Sequence, residues 1–195
     1  MKQKFKADAA IFIDAAYLDR TGKGLSQFFS NNVLGHPLPK ADFGTFINSI
    51  AFQMGFEPGE RNIMVYLTRE GREEKFTFCT PSDLAEEFHD NCYRDSMGQF
   101  IFWSLPTLGH DTSCNAALEL AQFLCTEEKT SLAALIVDLN ECPPRSVENL
   151  ATIKETQFIS FSMNPKDGET FPNFRHEELG HSLLNSFGIT PKDLK

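Results

Sequence analysis

Residues 9–14 read "AAIFID", five apolar side chains without alternation followed by an aspartate. An unbroken apolar run of this kind fits a strand buried on both faces, as in a parallel sheet covered by helices. In such open sheets, ligands bind in the crevice outside the carboxyl ends of the strands. A buried carboxylate needs a hydrogen bond, a cation or a metal to offset its desolvation. Asp14 is therefore either a cap on the following turn or one arm of an active site.

Strand-like and helix-like segments alternate along the rest of the chain. Further strands are predicted at residues 61–70, 75–79, 100–105, 131–139 and 156–163. Helices are predicted around 25–29 and at 40–56, 80–97, 110–125, 144–155 and 176–189. This alternation predicts an α/β fold with three layers, α/β/α, around a mainly parallel central sheet. With no internal repeat or linker, a single domain over 1–195 is expected, ending in a C-terminal helix at about 175–189.

Bulk composition limits the classes of partner. The 195 residues are 41% hydrophobic, as in a soluble globular protein, and 19 of them are phenylalanine, which predicts a Phe-rich core. The net charge of −9 provides no general electrostatic attraction for nucleic acid. Nucleic-acid binding would need a local basic rim, for which the candidates are Lys2, Lys4, Lys6, Arg20 and Lys23. No stretch approaches the roughly 20 apolar residues of a membrane span, so no membrane partner is expected.

The cysteine pattern bears on the cellular compartment. There are five cysteines, an odd number, and none forms a CxxC pair: Cys79, Cys92, Cys114, Cys125 and Cys142. This pattern indicates reduced thiols in a cytoplasmic protein, with neither a disulfide framework nor a zinc cluster. No disulfide-linked partner is expected.

Three aspartates stand where a parallel sheet would bring them together. Asp14 and Asp138 each end an apolar strand segment, and Asp111 stands at the start of a predicted helix. Strand carboxyl ends and helix amino ends share one edge of a parallel sheet, so the three acids can converge there. Converging carboxylates suit Mg²⁺ or Mn²⁺. Each acid taken alone is equally explained as a helix cap or a turn residue.

The same three segments resemble the motifs of a known family. "IFIDAAYL" is similar to the opening motif of the NYN branch of the PIN-like nucleases, where a strand ends in an acid. "LGHDTSCNAALELAQFL" resembles the second motif of that family, and "AALIVDLNECPP" stands in the place of its third. The resemblance spans residues 9–163 and implies a PIN-like, Rossmann-like topology. The family pattern has glycine, asparagine and lysine where this chain has Ala15, Tyr17 and Leu108.

The resemblance implies a metal-dependent endoribonuclease that hydrolyses phosphodiester bonds of single-stranded RNA. In that assignment the catalytic residues are Asp14, Asp111 and Asp138. Together with Glu141 they would also hold one or two Mg²⁺ or Mn²⁺ ions. The substrate-binding residues would be Asn115, Asn140 and Tyr17.

Several alternatives remain open at this level. Either Asn140 or Glu141 completes the acid set of the third motif. Because that motif is degenerate and the chain is acidic, the domain can instead be a catalytically degenerate RNA- or protein-binding regulatory module, and a homodimer is a further expectation. An unrelated α/β enzyme acting on a phosphorylated small molecule is the third interpretation.

Overall fold

The computed structural model of the protein describes residues 7–71, 74–107, 112–164, 171–190 and 192–193. Within this part of the chain, strands and helices alternate as predicted. The strands are β1 (Ala9–Asp14), β2 (Ala41–Asp42), β3 (Asn62–Arg69), β4 (Cys79–Thr80), β5 (Asn91–Asp95), β6 (Gly98–Pro106), β7 (Leu132–Ile136), β8 (Gln157–Ser162) and β9 (Phe174–Glu178). The α-helices are α1 (Ala15–Phe29), α2 (Phe43–Gln53), α3 (Ser113–Glu128), α4 (Pro144–Ala151) and α5 (Leu179–Ser186), with π-helical turns at Ser30–Leu34 and Leu84–Phe88.

The central sheet is built around β1. Seven strands lie in the order β5-β6-β3-β1-β7-β8-β9, and all neighbouring pairs are parallel except β5 with β6. From β1 the chain builds outward through β3 to β6, and it then crosses back to add β7 on the other side of β1. The strand order therefore reverses between β1 and β7, which is where open α/β sheets form their ligand crevice.

Two apolar clusters cover the faces of this sheet. Ile11 and Ile13 of β1 face the first cluster, which is filled by α1, α2 and α5. Ala10 and Phe12 face the second, which is filled by α3 and α4. All six residues of β1 are buried, because helices cover both of its faces. The predicted three-layer α/β/α fold with a mainly parallel sheet is confirmed.

The phenylalanines concentrate on the first face. Phe43, Phe76, Phe88 and Phe102 form one group, with ring centroids 4.8–6.1 Å apart in one stacked pair and four edge-to-face pairs. Each of these side chains is at most 5% exposed. Edge-to-face and offset packing is favourable for aromatic rings beyond the area that they bury. Phenylalanine side chains thus make up much of the core between the sheet and helices α1, α2 and α5.

Four predicted elements differ from the structure. The short helix around 25–29 is the end of a longer helix, since α1 begins at Ala15, directly after β1. The helix over 80–97 is wrong: this segment holds the π-helical turn and then β5. Asp83 caps that turn through the amides of Ala85 and Glu86, and Asp90 ends it with a positive φ of 55°.

The helix predicted over 176–189 is also only partly correct. Residues 174–178 form β9, which pairs with β8 in parallel register, and α5 follows at Leu179–Ser186. The strand forms because Phe174 stacks on Phe158 of β8, with ring centroids 5.1 Å apart. The predicted strand at 75–79 contributes only its last residue, Cys79, to β4, which pairs with β2 instead of joining the main sheet.

Gly22 allows α1 to lie directly against the aromatic core. A Cβ atom built on Gly22 would lie 2.5 Å from Cγ and Cδ2 of Phe78. Phe78 is only 4% exposed and packs between Phe76 and Phe187, with centroid distances of 5.6 and 6.1 Å. The ring has no free space to move into, so the helix needs glycine here. At Gly24, two residues further along the same helix, a Cβ atom would meet nothing within 4 Å.

We therefore expect Gly22→Ala and Gly24→Ala to change stability in opposite directions. Gly22→Ala should lower the free energy of unfolding by about 1–3 kcal/mol, because it overpacks the contact with Phe78. Gly24→Ala should raise it by about 0.5–1 kcal/mol, because alanine loses less backbone entropy in a helix. Urea unfolding of both variants measures the two effects. Equal or greater stability of Gly22→Ala would contradict the close packing of α1 on Phe78.

Candidate functional site at the carboxyl edge of the sheet

Asp14 lies at the point where the strand order reverses. It is the last residue of β1 and the N-cap of α1, and its side chain is 5% exposed. Its Oδ1 atom accepts a hydrogen bond from the Tyr17 amide at 3.2 Å and one from the Ser113 hydroxyl at 2.5 Å. Asp14 is therefore the cap of α1, and its part in an active site stays a prediction.

Ser113 and Thr68 complete a buried polar group around this carboxylate. Ser113 begins α3 and is 2% exposed, and Thr68 of β3 is 3% exposed and stands opposite Asp14 in the strand register. The Thr68 hydroxyl lies 2.8 Å from the carbonyl oxygen of Ser113 and 3.2 Å from that of Ile13. These contacts fix the first turn of α3 against the ends of β1 and β3.

Burial makes this edge costly for negative charge. It raises the pKa of Asp14 above the ordinary value of 3.8, and the hydrogen bonds from Ser113 and the Tyr17 amide offset only part of that effect. Burial also raises the pKa of Glu74, and the charges of Glu70 and Asp14 raise it further. Glu74 accepts a hydrogen bond from the Glu70 amide at 2.7 Å. Two partly desolvated carboxyl groups thus influence each other's protonation at the crevice.

Asp138 lies just beyond the end of β7, the strand next to β1. Ile13 pairs with Ile136 in the register, so Asp138 stands one position past the partner of Asp14. Its Oδ1 accepts a hydrogen bond from the Asn140 amide at 3.0 Å, so the side chain caps its own turn. Its charge also contributes to a raised pKa of Tyr17, for which burial is the main cause. Asp138 therefore faces the Tyr17 side of the crevice.

Arg20 and Glu141 connect the two walls of the crevice. Arg20 Nη2 on α1 lies 2.7 Å from Glu141 Oε2 in the turn after β7. Both side chains are 58% exposed. The guanidinium also lies 5.9 Å from the centroid of the Tyr17 ring, and its charge lowers the pKa of Asp14. Glu141, predicted as a metal ligand, is here the counter-ion of Arg20.

The remaining predicted site residues do not gather around Asp14 in the described residues. Asn115 points along α3, where Nδ2 donates to Glu119 at 3.1 Å and Oδ1 accepts from Ser146 at 2.7 Å. Asp111 lies outside the described residues, and the N-cap of α3 is Thr112. Within the described ranges, no group of three or more His, Cys, Asp or Glu side chains could hold a metal ion.

Two of the cysteines predicted as free thiols are joined near this site. Cys114 and Cys142 form a disulfide with a Cα–Cα distance of 6.0 Å, so the prediction of five reduced cysteines is wrong for this pair. The bond ties the first turn of α3 to the turn that follows β7. Cys79 and Cys125 are free and buried, and Cys92 is free and exposed.

The sequence did not reveal Ser113, Thr68 or Glu74 as members of the site. The Ser113–Asp14 bond joins residues 99 positions apart, and no local pattern marks such a contact. Thr68 reads as an ordinary strand residue until the register with Asp14 is known. The only signal in the sequence for Glu74 is its place four residues after the end of the predicted strand at 61–70.

Comparison with known proteins places the chain in a family without assigning an activity. The chain belongs to the family described as a family of unknown function (DUF6621), whose model matches residues 2–194. No curated protein and no solved structure matches it. The match is not to an NYN or PIN domain, so the resemblance to the PIN-like nucleases is wrong. Its motifs, an acid after an apolar strand and an acid before a helix, are common to many parallel α/β folds.

The described helices bear on whether the chain could cross a membrane. None is both long enough and apolar enough to cross a bilayer.

Removing the charge of Asp14 should stabilise the protein at neutral pH. Because the pKa of Asp14 is raised on folding, the native state binds a proton more readily than the unfolded chain, and stability falls as pH rises through and above 3.8. Asp14→Asn can keep both hydrogen bonds on Oδ1 without the buried charge. We expect the variant to match the wild type near pH 3 and to exceed its free energy of unfolding by a difference that grows from about pH 3.8 through the raised pKa of Asp14 and is constant above it, as measured by urea unfolding from pH 3 to pH 7.

Asp42→Asn is the matched control for this experiment. Asp42 is likewise the N-cap of a helix, α2, and accepts a hydrogen bond from the Thr45 amide at 2.6 Å, but it is exposed. Its replacement should change stability by less than about 0.5 kcal/mol at any pH. An Asp14→Asn variant that loses stability relative to the wild type as pH rises would contradict the desolvation of Asp14.

The cysteines should fall into three reactivity classes. In non-reducing peptide mapping, Cys114 and Cys142 should be recovered as one linked pair, and Cys92 alone should react with iodoacetamide in the native protein. Cys79 and Cys125 should react only after unfolding, since burial raises both thiol pKa values, that of Cys125 to about 12. Reduction of the pair, which closes a 28-residue separation, should lower the free energy of unfolding by about 3 kcal/mol. Alkylation of Cys114 or Cys142 without a reductant would contradict the pairing.

Proposed function

We propose that the crevice at the carboxyl edge binds a divalent cation and hydrolyses phosphodiester bonds, with single-stranded RNA as the substrate. The observation that carries the proposal is Asp14, a carboxyl group 5% exposed at the end of the central strand, with its pKa raised by burial. A carboxyl group whose pKa is raised by burial in a cleft is a candidate for a functional site. The reversal of strand order beside Asp14 gives the same location independently.

The carboxylates at this edge have the chemistry that Mg²⁺ or Mn²⁺ requires. The Tyr17 amide and the Ser113 hydroxyl both donate to Oδ1, and the Ala16 amide also interacts with this carboxyl group; in this proposal a cation would bind Oδ2. A second carboxylate oxygen would come from either Asp138 or Glu74, since no three such groups cluster within the described residues. Mg²⁺ commonly uses only one or two protein carboxylates and keeps several waters or substrate oxygens. A set of fewer than three clustered acids is therefore compatible with this ion, and Asp111 remains a proposed ligand on the basis of its place in the sequence.

The residues of the crevice have separate roles in this proposal. A bound cation would supply a water of lowered pKa and stabilise charge on the phosphate oxygens. Asp14 would position that cation, while Ser113 keeps the carboxylate in one orientation. Tyr17 holds the other wall, because its hydroxyl accepts a hydrogen bond from the Met163 amide at 3.2 Å at the end of β8. Asn140, at the turn after β7, would contact the substrate.

The internal pairing of charged groups favours a second function, a non-catalytic binding module. Glu141 already has Arg20 as a partner, and Asp14 already has Ser113. In such a module these pairs would be structural, and RNA or a protein would be bound without cleavage. A requirement for a divalent cation separates the two functions.

The remaining expectations about partners and location stay predictions. A homodimer has no observation in its favour. A cytoplasmic location requires that Cys114 and Cys142 be reduced or only transiently linked there, since stable disulfides are rare in reducing compartments. Peptide mapping of protein taken directly from cells under alkylating conditions tests that requirement.

Cleavage of end-labelled single-stranded RNA tests the proposed function. Wild type should cleave with Mn²⁺ or Mg²⁺ and stop in EDTA. Asp14→Asn and Asp111→Asn should each lower the rate by at least about 100-fold, since even partners of metal ligands commonly cost 10–100-fold. Asp42→Asn should cleave at the wild-type rate, because it changes an equivalent helix cap far from the crevice.

The outcomes separate the two functions. Metal-dependent cleavage that both variants lose supports the hydrolase. Metal-independent cleavage, or cleavage that survives both substitutions, rejects the proposed site. RNA binding without cleavage, unchanged by EDTA, supports the binding module.

A further inference from the structure

The Arg20–Glu141 pair spans the opening of the crevice. Arg20 stands on the second turn of α1, one wall of the crevice, and Glu141 belongs to the turn that forms the other wall. The residues are 121 positions apart in the chain, and Arg20 Nη2 lies 2.7 Å from Glu141 Oε2. The pair therefore joins α1 to the turn after β7 by side-chain contact.

The backbone that carries Glu141 is held independently of this contact. The amides of Glu141 and Cys142 donate to the Asp138 carbonyl oxygen at 3.0 and 3.2 Å. The disulfide to Cys114 fixes the same turn to α3. Glu141 can therefore leave Arg20 by rotation of its side chain, without movement of the turn.

Arg20 is a cationic group whose charge acts on Asp14. Among the positive charges of the described residues, its charge is the one that influences both Asp14 and Tyr17. In this part of the structure the guanidinium meets Glu141 through Nη2 alone. A guanidinium can bind two oxygens of a phosphate group in parallel, a geometry that a single carboxylate contact leaves unused.

We propose that Arg20 binds the phosphate group of the substrate, and that Glu141 occupies its guanidinium until the substrate displaces it. This inference rests on the proposed function, in which the crevice takes a phosphodiester. It replaces the role of Glu141 as a metal ligand by a role as an internal competitor of the substrate. Arg20 thereby supplies the local positive charge that an acidic chain needs for an anionic ligand.

The exposure of the pair makes this exchange favourable. Both side chains are 58% exposed, and ion pairs of this kind contribute little to stability. A phosphate offers the same guanidinium more than one charged oxygen, and charge-assisted paired hydrogen bonds are the stronger kind. Glu141 thus modestly reduces the affinity of Arg20 for phosphate, and substitution of Glu141 removes this effect.

Titration with inorganic phosphate, without divalent cation, tests the exchange. Backbone amide shifts in ¹H–¹⁵N spectra report phosphate binding in every variant, and the Nε–Hε signal of Arg20 reports on the guanidinium wherever Arg20 is present. Glu141→Gln should bind phosphate about two- to fivefold more tightly than the wild type, the factor that an exposed ion pair is worth. Arg20→Gln should weaken binding by at least about tenfold, because a charge-assisted hydrogen bond is lost. Thermal unfolding verifies that both variants fold.

Glu177→Gln is the matched control for a simple change in net charge. Glu177 pairs with Arg175 at 3.1 Å in a comparable partly exposed ion pair on β9. Its replacement removes the same negative charge as Glu141→Gln does, and phosphate affinity should stay at the wild-type value. Unchanged affinity in Glu141→Gln, or an equal gain in Glu177→Gln, would overturn the proposal.

The result is independent of the cleavage assay. Phosphate binding that follows Arg20 and Glu141 supports the inference even where RNA is never cleaved, in which case only the hydrolase fails. If the protein cleaves RNA but phosphate affinity is the same in the Arg20 and Glu141 variants as in the wild type, the inference is rejected and the proposed function stands. The same titration is made with a single-stranded oligoribonucleotide and with a nucleoside monophosphate. The ligand that gains affinity in Glu141→Gln shows whether the phosphate group belongs to a nucleic acid or to a small molecule.

Discussion

The hydrogen bond from the Ser113 hydroxyl to the Asp14 carboxylate joins the parts of the chain on which the carboxyl edge depends. The connection from β6 to β7 has to cross β3 and β1, so α3 begins close to the end of the central strand. Ser113 and Thr68 fix that beginning against Asp14. The same hydrogen bond offsets part of the cost of burying the Asp14 carboxylate. One hydrogen bond therefore both positions the start of α3 and provides the buried carboxylate with a donor.

A buried carboxylate at this point costs folding stability, and an asparagine could make the same hydrogen bonds. Proteins tolerate such a cost where a site requires the charged or protonatable group. Glu74 adds to the argument, since its own raised pKa reflects burial and the neighbouring charges of Glu70 and Asp14. Two carboxyl groups that disfavour each other's ionisation would both be relieved by a bound cation. The local energetics thus point to a ligand more clearly than any motif does.

The layers of the fold could be predicted from the sequence because buried strands leave a strong local signal. The runs that became β1 and β7 are continuous and apolar, and helices cover both of their faces. The edge strand β5 has no such signal: it is largely exposed, and it follows an acidic segment with Thr80 and Pro81 that is typical of a helix start. Asp14 could be identified because it interrupts an apolar run. Its partners could not, because contacts across 99 residues appear only when the strand register and the start of α3 are known.

Net charge is a poor guide to what this crevice can bind. At physiological ionic strength the Debye length is about 8 Å, so most of the 27 acidic residues are screened from a ligand at the carboxyl edge. What matters is the balance among Asp14, Glu74, Glu141 and Arg20. A divalent cation held by the carboxylates, together with rotation of Glu141 away from Arg20, would make this local balance less negative. Cation binding and phosphate binding would then favour each other, because each removes a negative charge that opposes the other.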